Sequence, residues 1–153
     1  MKLSFNKQPV PETNQLSLFK NDFKIGNPVW WNGFYTEFYS REMSKLHRGG
    51  YAIIQYDTKE DFLILRYKGL LYRTRYDNVE EVTLIPVRDI TSLSKGCFIF
   101  YNSLSNNLFN YAFQFDYYIH DDVNDSYIIY STDGGTIYTG KLNISEQLFI
   151  IKR

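Results

Sequence analysis

From Val29 onward the chain alternates short apolar runs with polar breaks, and the runs have the length and alternation of strands. Ile25-Gly26-Asn27-Pro28 reads as a turn and Val29-Trp30-Trp31 as a strand. Asn32-Gly33 tolerates positive φ at both positions and so predicts a hairpin into Phe34–Tyr39. Ser40 to Arg48 predicts one or two turns of helix, ended by Gly49-Gly50. Strands are then expected at Tyr51–Tyr56, Phe62–Tyr67 and Leu70–Tyr76, separated by the polar turn Asp57–Asp61 and by Lys68-Gly69. Asn78–Val82 and Thr83–Ile85 close this set before Pro86. The element order resembles an SH3-like small barrel, with a glycine- and tryptophan-bearing start and a closing segment at Asn78-Val79-Glu80-Glu81-Val82.

Pro86 to Gly96 reads as an internal junction, with Asp89–Gly96 a loop or short helical turn. A β meander is expected beyond it: Cys97–Tyr101, Asn110–Ile119, Ser126–Ser131, Thr136–Leu142 and Gln147–Lys152. Thr132-Asp133-Gly134-Gly135 closes a hairpin within it. The expected class is therefore mainly β and antiparallel: residues 1–23 a flexible arm and 24–153 a β domain, divisible at the junction into 24–88 and 96–153.

Composition supports this class. Aromatic residues are 18% of the 153, with 14 Tyr and 12 Phe, and such side chains suit a pleated surface better than a helix. A chain of this length buries a sizeable core. Its single cysteine, Cys97, permits no internal disulfide and fits a reducing cytosol, and its place before Phe98-Ile99-Phe100 suits a buried thiol. No apolar stretch approaches a membrane span, and the start has no apolar signal segment, so a cytoplasmic protein without a membrane partner is expected.

The N-terminal stretch breaks the β pattern. Lys7-Gln-Pro-Val-Pro-Glu-Thr-Asn14 is too polar and proline-rich to fold alone, yet it leads into the apolar cluster Gln15-Leu16-Ser17-Leu18-Phe19. That pentapeptide resembles, at all five positions, the Gln-Leu-(Ser/Asp)-Leu-Phe peptide by which bacterial replication and repair proteins bind the ring-shaped sliding clamp. The resemblance covers five residues and implies a docking peptide, with the DNA polymerase III β subunit as partner. An extended segment seats alternate side chains in pockets. Leu18 and Phe19 would anchor it, each contributing roughly 1.5–3 kcal/mol if fully buried. Gln15 would fix register through its amide, Leu16 would fill the space between, and Ser17 would face outward. The alternative is that Leu16, Leu18 and Phe19 form a first strand or helical turn on the chain's own body.

Charge narrows the remaining classes. The 17 basic and 17 acidic residues cancel, so any contact with nucleic acid must be local. Arg73 and Arg75 share one face of a strand, with Arg66 and Lys68 beside them and Tyr67 close by, a pattern suited to phosphates and stacked bases. It is equally the pattern of a solvated sheet face. His47, and His120 with Asp116, Asp121 and Asp122, are the only catalytic or metal-binding candidates; zinc spacings, phosphate loops and nucleophile elbows are lacking. No cofactor is expected.

The expected function is thus a non-enzymatic adaptor or regulator on the bacterial sliding clamp. A chain this small without enzymatic motifs suits a phage or mobile-element protein. The alternatives are a nucleic-acid-binding β barrel and a self-assembling structural β protein.

Overall fold

The computed structural model describes residues 23–153 except 39–41 and 59. The pentapeptide Gln15–Phe19 and residues 1–22 lie outside the described residues. Phe23 belongs to the body: its ring packs 5.9 Å from that of Tyr76.

The strands in chain order are β1 (Pro28–Trp31), β2 (Phe34–Phe38), β3 (Glu42–Leu46), β4 (Gly50–Asp57), β5 (Phe62–Tyr67), β6 (Leu70–Arg75), β7 (Val79–Glu80), β8 (Thr83–Pro86), β9 (Phe98–Tyr101), β10 (Tyr111–Asp121), β11 (Ser126–Ser131), β12 (Thr136–Gly140) and β13 (Leu148–Lys152). One short helix, α1 (Ile144–Gln147), precedes β13. Among the described residues the strands form two antiparallel sheets, ordered β3-β2-β6-β5-β4-β1-β7 and β12-β11-β10-β9-β13-β8. The mainly β, antiparallel class expected from the sequence holds.

Among the described residues the first sheet rolls up without a closing ladder between its terminal strands β3 and β7. Three strand spacings separate β1 from β6, about 14 Å in a flat sheet, yet the rings of Trp31 and Tyr72 lie 5.0 Å apart. Side chains hold the seam. The Phe34 carbonyl accepts both the Trp31 indole N–H (2.7 Å) and the Thr74 hydroxyl (2.7 Å), joining β1, β2 and β6. Thr74 is fully buried and also accepts from the Asn78 amide at 3.1 Å, so its hydroxyl is satisfied on both sides. Inside the roll, Val29, Trp31, Tyr35, Ala52, Ile54, Leu63, Leu65, Tyr67, Tyr72 and Val79 form one buried cluster.

Two local expectations are corrected here. Asn32-Gly33 does not join a β1–β2 hairpin, since β1 pairs with β4 and β7, and β2 with β3 and β6. Gly33, at φ +99°, instead lets the chain pass against the next segment: a Cβ there would meet the His47 carbonyl oxygen at 1.9 Å. The helix expected over Ser40–Arg48 is a strand over Glu42–Leu46, because the ladder to β2 supplies hydrogen bonds that so short a helix could not match.

By contrast, Lys68 (φ +51°) and Gly69 (φ +80°) form the expected two-residue hairpin turn, and Tyr67 faces Leu70 across it. Asp89 caps the short helical turn Ile90–Ser92, its carboxylate accepting the Thr91 N–H at 3.0 Å.

The second sheet buries Ile99, Phe113, Phe115, Ile129, Ile137 and Leu148 beneath Ile144 of α1 and Ile90 of the capped turn. Strand β8 belongs to this sheet, paired with β13, so the chain passes between sheets at Glu81-Val82, ahead of the Pro86–Gly96 junction read from the sequence. A third cluster, Ile53, Phe100 and Ile151 with Tyr51, Leu84 and Phe149 around it, lies between the sheets. Strand β4 therefore feeds two cores: Ala52 and Ile54 point into the roll and Ile53 toward the second sheet.

Tyr111, packed against both the second and third clusters, gives a pH-dependent handle. Its phenol is pushed up to about 12, first by burial and then by the nearby Asp133 and Tyr101. A raised folded-state pKa means the stability is fully present below the ordinary value of 10.0 and is lost as pH climbs through the folded value. Urea unfolding at about pH 9 and about pH 11.5 should show stability falling across this window, with a smaller fall in Tyr111→Phe. An equal fall in both proteins would assign the alkaline loss elsewhere.

Candidate functional site

The β5–β6 hairpin positions the four cations singled out by the sequence. Its register sets Phe62 opposite Arg75, Ile64 opposite Arg73 and Arg66 opposite Leu71. The alternate residues Leu63, Leu65, Tyr72 and Thr74 are buried in the roll, so the first set faces outward. Tyr56 of β4, opposite Ile64, joins that outer face and is half exposed.

Two of the four cations come together. The Arg73 guanidinium lies 4.0 Å from the centre of the Phe62 ring, and that of Arg75 lies 5.5 Å from it. Arg75 also approaches Asp77, Nε to Oδ1 at 3.7 Å, with both side chains largely in solvent. The result is an outer strip of Tyr56, Phe62, Ile64, Arg73 and Arg75, cationic and aromatic at once.

Arg66 and Lys68 leave this strip. Arg66 turns to the second sheet, donating from Nη2 to the Asn110 carbonyl at 2.5 Å and from Nε to Gln55 Oε1 at 3.3 Å. Burial lowers the pKa of its guanidinium. The buried Asn110 in turn donates to the Gly26 carbonyl (2.9 Å) and accepts the Ser103 N–H (2.7 Å), so this polar junction is satisfied at both ends of the amide. Lys68 sits in the hairpin turn with its ammonium 5.3 Å from the Tyr67 ring. It lies near Asp133, whose carboxyl is lowered chiefly by the Ser131 hydroxyl, then by the Gly135 N–H, with Lys68 adding to the effect.

Phe62 and Tyr56 are functional candidates that the charge pattern alone passes over. The signal for Phe62 was present: a two-residue turn at Lys68-Gly69 fixes Tyr67 against Leu70, and counting back sets Phe62 against Arg75.

The histidines sit apart from this strip. His120 bridges two carboxylates of the β10–β11 turn, Nδ1 to Asp122 at 2.8 Å and Nε2 to Asp125 at 3.1 Å. Asp121 caps the same turn, its carboxyl lowered first by the Asn124 side chain and then by the Asn124 N–H. Asp116 is drawn away to Lys95, at 3.3 Å. These groups build a turn, and among the described residues no group of three or more His, Cys, Asp or Glu is placed to hold a metal.

His47 lies in the roll with its ring stacked on Trp31 at 5.9 Å and edge-on to Tyr67 and Tyr72, both at 5.3 Å. Its Nδ1 is buried without a hydrogen-bond partner among the described residues. Cys97 packs against the second core, and burial raises its thiol pKa, which disfavours the nucleophilic thiolate.

Comparison with family models, with curated proteins and with solved structures finds no match to this chain. Among the described residues no helix is long and apolar enough to cross a membrane.

The geometry separates a structural cation from a surface one. Arg66→Ala should lower stability by about 1.5–3 kcal/mol, the cost of a lost charge-assisted hydrogen bond at a buried carbonyl. Arg75→Ala should change it by at most about 0.5 kcal/mol. Parallel denaturant titrations check this, and equal effects would contradict the assigned roles.

Proposed function

We propose that this protein is a cytoplasmic, non-enzymatic adaptor that docks on the bacterial sliding clamp through Gln15-Leu16-Ser17-Leu18-Phe19. The observation that carries this reading is the agreement of all five positions with the clamp-binding pattern, in a segment whose polar, proline-bearing approach contrasts with the β body. Leu18 and Phe19 supply the apolar anchors and Gln15 the polar register, as an extended peptide in a surface groove requires. Docked in this way, its β body would compete with polymerase or bring a second function to replicating DNA. A peptide spanning Asn14 to Lys20 should bind a bacterial clamp with affinity on the order of micromolar. In the full chain, Leu18→Ala with Phe19→Ala should abolish clamp binding while the melting temperature stays unchanged. A double variant that melts far below the unaltered protein would instead make these side chains part of the core.

A second reading rests on the outer strip of the first sheet: two guanidiniums beside one exposed-face phenylalanine, with Tyr56 in the adjoining row. Such a strip suits single-stranded nucleic acid, cations on phosphates and rings beneath bases. Fluorescence anisotropy with a labelled single-stranded oligonucleotide should show salt-dependent binding. Arg73→Glu should weaken it and reduce the salt slope by about one or more. Affinity unaltered by that reversal would remove the reading.

A further inference from the structure

The second sheet carries an outer face that breaks the usual rule for antiparallel sheets, in which the side away from the core is polar. The register aligns Tyr117, Tyr130 and Thr136 in one row across β10, β11 and β12, and Ile119, Ile128 and Tyr138 in the next. The intervening row, Tyr118, Ile129 and Ile137, points the other way into the second core. Of the six outward residues, Thr136 alone is polar and none is charged. Tyr117 is 49% exposed, Ile119 46% and Tyr138 66%. Tyr117 and Tyr130 stack flat, with ring centres 4.5 Å apart and planes 11° apart, so part of this face is already ordered as a plane. The sheet ends at β12, whose outer edge has no strand partner among the described residues and whose own residues carry no charge to guard it.

We propose that this face is the contact between two copies of the chain in a two-fold dimer. Its chemistry selects the occupant. A face with no cation cannot neutralise phosphates, which disfavours nucleic acid here, and a neutral, largely apolar plane matches another of its kind. A two-fold axis lying in the plane of the face, parallel to the two rows and midway between them, lays the tyrosine row of one copy over the isoleucine row of the other, the self-complementarity an isologous contact needs. The area also fits. With a large aromatic side chain presenting on the order of 150–250 Å² when fully exposed, the face offers roughly 400–500 Å² per copy, so a pair buries about 800–1,000 Å², at the threshold of a specific but weak association.

Sedimentation velocity on the full chain over a concentration series tests this. The unaltered protein should shift from monomer to dimer with a dissociation constant on the order of micromolar to tens of micromolar. Tyr138→Glu and Ile119→Lys should each raise that constant by roughly tenfold or more. Arg75→Glu, on the other sheet, and the arm variant Leu18→Ala with Phe19→Ala should leave it unchanged. The proposal is overturned if the protein stays monomeric at several hundred micromolar, or if the two face variants dimerise as before. It is equally overturned if the arm variant dissociates, which would make residues 15–19 the contact. Should the face variants lose their near-ultraviolet circular dichroism, hydroxyl-radical footprinting of the unaltered protein decides. Oxidation of Tyr117 and Tyr138 should fall on concentration while that of Tyr56 does not, and undiminished oxidation would refute the dimer.

Discussion

Strand β4 is buried on both sides, and the two sheets follow from that constraint. Ala52, Ile53 and Ile54 are three consecutive residues almost fully removed from solvent, which a strand achieves only when each of its faces meets a separate apolar layer. One face is served by the rolled first sheet around Trp31, the other by Phe100 and Ile151 of the second sheet. The chain then uses side chains where ladders cannot reach. Arg66 and Asn110 bind one sheet to the other, while Arg153 lies over Trp30 at 4.5 Å and pairs with Glu80 at 3.1 Å. Exposed ion pairs of the latter kind add little to stability, so the apolar layer around Ile53 carries the join.

The sequence revealed strands well and their partners poorly. Alternation and the aromatic content marked nearly every strand, and the hairpin at Lys68-Gly69 was legible because a two-residue break ending in glycine between two apolar runs leaves a tight turn few alternatives. Asn32-Gly33 carries the same signal, but there glycine serves a close approach to the His47 carbonyl. Local chemistry reports that a backbone must bend, and not what it bends around. The segment Glu42–Leu46 misleads for a related reason: its mixed polar sequence has no strand period of its own, and its conformation comes from the ladder with β2. Thr83–Pro86 looked like the end of the first unit because its partner, β13, lies far along the chain.

The candidate site was half legible. Period-two spacing put Arg73 and Arg75 on one face, and the geometry keeps them there beside Phe62. The same spacing put Arg66 with them, and nothing local says that Asn110, 44 residues later, will claim its guanidinium. A long cationic side chain on the outer face of a sheet belongs to solvent only until a second sheet packs there. The apolar outer face of β10–β12 was hidden for the complementary reason: Tyr117, Ile119, Ile128 and Tyr138 lie within apolar runs expected as strands, and only the topology shows which side the core occupies.

The placement of β13 bears on how the molecule reaches this state. It is an inner strand, seated between β9 and β8, and it aligns Ile150 with Ile85 and with Ile99. Each sheet contains local pairings, such as β5 with β6 in the first and β10 with β11 in the second, whose loop-closure cost is small. The longest separation is in the second sheet: β8 finds its ladder partner only when a segment some 65 positions later arrives, and β9 holds one open flank until then. Contacts of such separation form slowly. Loop-closure cost thus favours the hairpins of both sheets first, and the seating of Leu148–Lys152 completes the interior between the two sheets.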